Sequence, residues 1–292
     1  MGHVSRSLPI LKQLINQENS ITVFCSDEQE RIYRQYFNNL CYERHEPYDF
    51  RFHSNGFNMF RFISQIPKLF KQHLKEKRRL KDYLRYHPTD YIISDQRFGF
   101  RNKSVFCIFI THQCVLPIPW YISIVQIINI YHIKKFNQTW IVDDEQIRYA
   151  GKLSRKIKKE DVYVGIKSRF QLTEASTKLR TLRVLIFNGP QEFHHLLLHS
   201  FRDELENIDV VIGKHHYGLG VKQHVFSWRE ADEVLMQAQY VYSFSGYSTL
   251  MDIKTLGCVW KCIPTPGQKE QEYIYKKTLA EGLGLQFDNL SD

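Results

Sequence analysis

Short apolar runs alternate with longer amphipathic stretches along most of the chain. Ten runs have strand character: Ile21–Ser26, Tyr91–Ser94, Val105–Thr111, Thr139–Val142, Val162–Ile166, Arg183–Phe187, Ile208–Ile212, His224–Ser227, Tyr240–Phe244 and Val259–Ile263. Pro9–Asn16, Glu192–Leu205, Arg229–Ala238 and Ser248–Leu256 read as helices. Nearly continuous apolar strands separated by helices predict parallel sheets covered on both faces. Ten strands are too many for one small open sheet. The polar, basic stretch Gly151–Glu160 predicts a boundary, giving an N-terminal domain over 1–155 and a C-terminal domain over 156–292. The expected architecture is α/β, with two doubly wound Rossmann-like domains facing across a cleft and ligands at the carboxyl ends of the strands. The first domain lacks the strand that normally opens such a unit, and Gly2-His3 reads as the tail of the loop that would follow it.

From Ser104 to Ile133 there is no Asp, Glu, Lys or Arg, a length that can cross a bilayer. Pro117 and Pro119 divide it. Val105–Thr111 is β-branched and aromatic like a buried strand, whereas Pro119–Ile133 is helical, with Ser123, Gln126, Asn129 and His132 forming a polar stripe. The expectation is a core strand and an apolar helix that can also rest on a membrane surface. Apolar residues make up 43% and charged residues 24% of the 292, which excludes wholesale disorder. The 40 Lys and Arg against 31 Asp and Glu leave +9, pointing to an anionic partner without naming it. Much of that charge lies in Lys68–Arg85, whose Phe70, Leu74, Leu80 and Leu84 give it an apolar side. It is a solvated helix face or a dock for an anionic membrane surface. Nucleic acid is not expected, because no recognised module accompanies the charge. Six cysteines include no CxxC pair, and Cys25, Cys107 and Cys262 lie in apolar runs, as buried thiols of a reducing compartment do. With no apolar signal segment after Met1, the expected location is cytoplasmic, with peripheral contact to the inner face of the cell membrane as an option.

The most informative stretch is Tyr240–Tyr273. An apolar strand ends in Ser245-Gly246 and a helix begins near Ser248, so a close-approach glycine precedes amide donors that can hold phosphate. Ser248 and Thr249 can donate to phosphate oxygens, and Asp252 can accept from a ribose diol; plain helix capping explains Ser248 and Asp252 as well. A second strand then exits into Pro264-Thr265-Pro266-Gly267-Gln268 and Glu270-Gln271.

SGYSTLMD followed by PTPGQKEQEY resembles the nucleotide-sugar-binding domain of the family 28 glycosyltransferases, the MurG-type enzymes of GT-B fold. The resemblance implies donor contacts at Ser245, Gly246, Ser248, Thr249 and Asp252, the last replacing the family's Glu, and at Gln268, Glu270 and Gln271. Gly189 and Pro190, in FNGPQE, resemble the family's glycine loop beside the diphosphate, and Phe226 lies in a segment resembling the nucleobase-holding loop. The donor, a nucleotide-diphosphate sugar with UDP favoured, is a substrate, so no cofactor and no metal are implied. The implied acceptor is a glycan or a polyprenol-linked hydroxyl.

Gly2-His3-Val4-Ser5-Arg6 resembles the GHxxR segment of many MurG-like proteins, where the histidine is a proposed base or phosphate donor. Asp95, in Asp95-Gln96-Arg97-Phe98-Gly99, and His112, in Thr111-His112-Gln113, resemble acceptor-side segments, with Asp95 a candidate base and His112 an orienting or phosphate-binding group. A loop cap paired with Arg97 is the plainer reading of Asp95, and a satisfied buried histidine that of His112. Asp143-Asp144-Glu145 is read as acids in the first turn of a helix, not as a metal-binding DxD. His194, His195, His199 and His215-His216 lack a carboxylate or thiol to complete a zinc set and are read as surface or partly buried. Two other activities fit the same pattern: a nucleotide-sugar hydrolase with His3 activating water, and a non-catalytic, degenerate nucleotide-sugar-binding protein.

Overall fold

The computed structural model describes residues 2–46, 59–118, 123–172, 180–215, 217–221 and 223–280, with the side chains of 59–66 excepted. The start of the expected helix at Pro119, and His216, lie outside these residues. The elements run α1 (Gly2–Asn16), β1 (Thr22–Cys25), α2 (Asp27–Tyr33), β2 (Cys41–Arg44), α3 (Met59–Leu84), β3 (Tyr91–Asp95), β4 (Phe106–Thr111), α4 (Ser123–Ile133), β5 (Gln138–Ile141), β6 (Val162–Tyr163), β7 (Leu182–Ile186), α5 (His194–Ser200), β8 (Val210–Ile212), β9 (Gln223–Val225), α6 (Trp228–Leu235), β10 (Ala238–Phe244), α7 (Tyr247–Leu256), β11 (Val259–Ile263) and α8 (Lys269–Ala280).

Every paired strand is parallel, as the continuous apolar runs predict. Contacts divide the chain into two compact units, Met1–Pro47 with Lys167–Asp292, and Tyr48–Ile166. The sequence alone predicts a division at 155/156. In the first unit, β11-β10-β7-β8-β9 form one sheet and β1-β2 a second. Leu185, Phe187, Leu197, Val211, Tyr242, Phe244 and Ile263 form the core of the larger sheet.

Helix α1 corrects the expectation for the N-terminus. Gly2 and His3 are its first turn rather than a loop tail, and Pro9 lies inside it rather than at its start. An interior proline costs about 3 kcal/mol. Burial of Val4, Leu8 and Leu11 against Cys25, Ile32 and Phe37 favours the continuous helix in spite of it. Strand β2 has no apolar run to announce it: its CYER residues are exposed or half-buried, and it pairs only with β1. The helix expected over Glu192–Leu205 is broken into α5 flanked by short 3-10 turns.

The second unit carries a four-stranded sheet in simple chain order, β3-β4-β5-β6. Residues 107–111 of β4 are all buried, which accounts for the absence of charge in that part of the run. No helix among the described residues is long and apolar enough to cross a membrane.

Candidate functional site

In the five-stranded sheet β7 is central, with β8 and β9 to one side and β10 and β11 to the other. Connections leaving β7 and β10 therefore diverge, opening a crevice at their carboxyl ends where ligands of doubly wound sheets bind. Asn188 ties the two edges of that crevice together. Its Nδ2 donates to the Phe244 carbonyl at 3.1 Å and to Thr249 Oγ1 at 3.3 Å, while its Oδ1 accepts from the Phe244 N–H at 2.8 Å. Gly189 follows with φ +76°, and a Cβ there would stand 3.2 Å from the Phe244 ring and 3.5 Å from Thr265 Oγ1. Pro190 then starts the turn that leads into α5.

The loop after β11 closes the other side. The Thr265 N–H donates to Gln271 Oε1 at 2.9 Å, Gln271 Nε2 donates to Gln268 Oε1 at 2.7 Å, and Ser245 Oγ donates to the Gln271 carbonyl at 3.4 Å. The side chains of Gln268 and Gln271 thus order the loop itself, and Glu270 lies half-buried in the first turn of α8.

Gly246 is the N-cap of α7 and has no side chain to accept from the first-turn amides. Beside it sits the start of α1. Ser248 Oγ donates to the Gly2 carbonyl at 3.3 Å, and a Cβ on Gly2 would come within 2.5 Å of that hydroxyl oxygen, so a larger residue there would turn the hydroxyl away. The next residue, exposed His3, has its Nδ1 2.7 Å from Nη2 of the buried Arg6. The structure therefore brings His3, Gly189, Pro190, Ser245, Gly246, Ser248, Thr249, Gln268, Glu270 and Gln271 into one unit around the ends of β7, β10 and β11.

Asp252 belongs to a different constellation. It is 6% exposed; Oδ2 lies 2.9 Å from Arg169 Nη1, and Oδ1 accepts from Ser168 Oγ at 2.7 Å and Ser5 Oγ at 3.4 Å. Arg169 also bonds Asp232 through Nε and lies 4.9 Å over the Trp228 ring, while the Tyr36 hydroxyl donates to the other Asp232 oxygen. Burial pushes the Asp252 carboxyl up, opposed by the Arg169 charge, and burial together with Asp232 pushes the Tyr36 hydroxyl up. Arg169, Asp232, Tyr36, Ser168 and Ser5 were not foreseen. An arginine after a short strand carries no periodic signature, and only its two enclosed carboxylates reveal it.

Phe226 stands 63% exposed just beyond β9, the strand at the edge opposite β11, with the His224 ring 4.3 Å away. His194 is buried against Phe187 with its Nδ1 2.8 Å from the Tyr217 hydroxyl, and burial lowers its pKa.

In the other unit, Asp95 ends β3 and the buried His112 follows β4. Arg97 pairs with Glu76 at 2.8 Å, and the Gly99 N–H donates to the same carboxylate at 3.2 Å. The Arg-x-Gly portion of that motif therefore anchors α3. Glu76, an acid within the basic run Lys68–Arg85, is fully buried. Asp143 accepts from the N–H groups of Asp144, Tyr149 and Ala150, and Asp144 from those of Gln146 and Ile147. These acids organise a turn rather than a helix start. Among the described residues no group of three His, Cys, Asp or Glu side chains is arranged to hold a metal ion.

No family model and no curated protein matches the chain by sequence. Solved structures do match. The glycotransferase of kitacinnamycin aligns with a TM-score of 0.66 at 11% identity, covering 100% of this chain and 84% of its own. The spinosyn rhamnosyltransferase SpnG complexed with thymidine diphosphate aligns at 0.64 and 13%, covering 97% and 83%. Acinetobacter baumannii MurG aligns at 0.56 and 13%, covering 98% and 82%. The chain has the α/β fold of the GT-B glycosyltransferases along its whole length.

Proposed function

We propose that this protein transfers a sugar from a nucleoside-diphosphate sugar, with UDP as the favoured nucleotide, to an acceptor hydroxyl on a glycan or a polyprenol-linked carrier. The observation that carries the reading is the crevice between β7 and β10, where Gly189 and Gly246 bring main chain to the ligand and the N-cap of α7 leaves amide donors for a diphosphate. A preorganised set of donors stabilises charge developing on the departing diphosphate. Thr249, whose hydroxyl accepts from Asn188 and keeps its proton to donate, completes it, whereas the Ser248 proton goes to the Gly2 carbonyl; Glu270 is the candidate for the sugar, and the exposed Phe226 for the nucleobase. The ribose role expected for Asp252 is left out, because its oxygens already serve Arg169, Ser168 and Ser5. Asp95 and His112 are the candidates for the acceptor hydroxyl. The nucleoside diphosphate in SpnG supports the donor class.

The variant Gly246→Asp tests this. The N-cap backbone, φ −78° and ψ 142°, suits aspartate, and a Cβ there meets only Thr249 Oγ1 at 3.6 Å. The helix keeps its cap, but a carboxylate now stands where phosphate binds. Thermal shift with UDP, dTDP and GDP is expected to show one nucleotide stabilising the parent and none stabilising the variant, with melting of the free proteins alike. Absence of any shift in the parent overturns the reading.

The polyprenol option draws on the second unit. Helix α4 turns Ile124, Ile127, Ile128 and Tyr131 to solvent, each at least half exposed. Helix α3, in contact through the His73 and His132 rings at 5.5 Å, exposes Phe70 and Leu74 among Lys68, Lys71, Lys75, Lys77 and Arg78. An apolar face bordered by lysines is what an anionic bilayer surface binds.

A further inference from the structure

We infer that Tyr217 receives the pentose of the nucleotide and that His194 is the positioning residue that holds it there. The inference rests on the glycosyl-transfer reading above, in which no residue is assigned to the pentose because Asp252 is enclosed. The ends of three strands fix where the pentose lies. The Phe187 N–H donates to the Ile212 carbonyl at 2.9 Å and the Gly213 N–H to the Val225 carbonyl at 3.1 Å, so β7, β8 and β9 finish side by side. Neighbouring strands are about 4.8 Å apart. A nucleotide with its diphosphate beside Gly189, after β7, and its base on Phe226, after β9, therefore carries its pentose across the end of β8. Tyr217 belongs to the loop that leaves β8, and its ring lies 4.6 Å from that of Phe187.

The place of this ring is imposed on it. Tyr217 has φ +47°, a left-handed conformation that is costly for a bulky side chain and persists where the surroundings enforce it. Its hydroxyl lies 2.8 Å from Nδ1 of His194, which is 5% exposed and packs on Phe187 with ring centres 5.0 Å apart. The Gln191 side chain, from the turn between Gly189 and His194, donates to the same hydroxyl. A phenol has one proton and two lone pairs. If Tyr217 donates to Nδ1, one lone pair is left beside that taken by Gln191; if Nδ1–H donates to Tyr217, the phenol proton is left. A pentose hydroxyl both donates and accepts, so it fills the remaining position with either imidazole tautomer. Tyr217 is 37% exposed and Asp252 is 6% exposed, so a ligand reaches the phenol and not the carboxylate. Burial lowers the pKa of His194 and raises that of Tyr217, which keeps both side chains neutral near pH 7.

The test is titration with UDP, dTDP and GDP, each beside its 2′,3′-dideoxy analogue, on the parent and on Tyr217→Phe. Removing the pentose hydroxyls is expected to weaken the parent's binding of its preferred nucleotide about threefold to tenfold, as for one lost neutral hydrogen bond. Tyr217→Phe is expected to bind that nucleotide weaker by a similar factor and to bind the dideoxy analogue no worse than it binds the nucleotide, because the two changes delete the same bond. His194→Phe keeps the ring on Phe187 without a nitrogen and is expected to lose the distinction as well, whereas His194→Asn, whose amide stands near the place of Nδ1, is expected to restore it. A parent that binds nucleotide and dideoxy analogue equally, or a Tyr217→Phe variant that distinguishes them as the parent does, overturns the role of Tyr217 alone. A His194→Phe variant that keeps the distinction overturns the positioning role of His194. A parent that binds none of the three nucleotides overturns the glycosyl-transfer reading and both roles with it.

Discussion

In the unit formed by residues 1–47 and 167–292, three ionisable side chains are enclosed: Arg169, Asp232 and Asp252 share one buried cluster. The unit formed by residues 48–166 does the reverse on α4, where apolar side chains face solvent and Gln126 and Asn129 face inward. The cause of the inversion is backbone demand. The Leu116 N–H donates to Gln126 Oε1 at 2.7 Å, and the Cys114 carbonyl accepts from Asn129 Nδ2 at 2.9 Å and Gln126 Nε2 at 3.3 Å. The loop after β4 has main-chain groups that no strand satisfies, and the polar stripe of α4 supplies their partners. In the first unit, Ser168, Ser5 and Tyr36 pair with carboxylates that would otherwise be stranded. Which face of a helix turns inward is set by what the neighbouring backbone and charges need, not by apolarity alone.

The largest expected effect comes from breaking the enclosed cluster. Arg169→Ala leaves two carboxylates buried without their cation and is expected to cost about 3–5 kcal/mol, read as a lower urea midpoint. Replacing Arg169, Asp232 and Asp252 together by Met, Leu and Leu is expected to recover most of that loss. A single Arg169→Ala variant as stable as the parent would show that the cluster does not hold this unit together.

The displayed face of α4 should behave oppositely. Ile127→Asp with Ile128→Asp changes residues that are 60% and 50% exposed, so stability is expected to move by no more than about 1 kcal/mol. Binding to vesicles rich in anionic lipid, measured by co-sedimentation, is expected to fall to the level of neutral vesicles. Unchanged binding would remove α4 from the membrane surface, and charge reversal across Lys68, Lys71 and Lys75 would then show whether α3 binds alone.

Strands and the crevice were legible because their signals are local. Continuous apolar runs marked β3, β4, β7, β10 and β11 to within a residue or two, and Gly189, Gly246, Ser248 and Thr249 stand at the strand ends where the sequence reading put them. Strand β2 left no trace because CYER buries almost nothing, and the extent of α1 was hidden by Pro9, which only tertiary packing makes tolerable. The Arg169 cluster and the Glu76–Arg97 pair were illegible for a different reason. They join residues far apart in sequence, and a charged residue in one sequence looks the same whether it is solvated or enclosed.

The smallest effect separates the two kinds of buried polar group in the second unit. Glu76 is enclosed with Arg97 and the Gly99 N–H as partners, whereas His132 has a buried Nδ1 with no hydrogen-bond partner among the described residues. Burial, together with the neighbouring His73, Lys135 and Arg101, pushes the His132 pKa down to about 4; burial also lowers that of His73, against the Glu76 charge. A folded-state pKa below the unfolded value of about 6.5 means that the unfolded chain takes up the proton first. The stability contribution is therefore whole above pH 6.5 and is lost as pH falls from 6.5 towards 4. His132→Phe keeps a ring to stack on Phe98, now at 5.0 Å, and removes the titration. Its melting temperature is expected to fall less steeply than the parent's between pH 6.5 and 5, by an amount equivalent to at most one proton. Parallel profiles would mean that His132 is hydrated in solution, and the unpartnered Nδ1 would then have a water where the backbone of β4 and its loop found side chains.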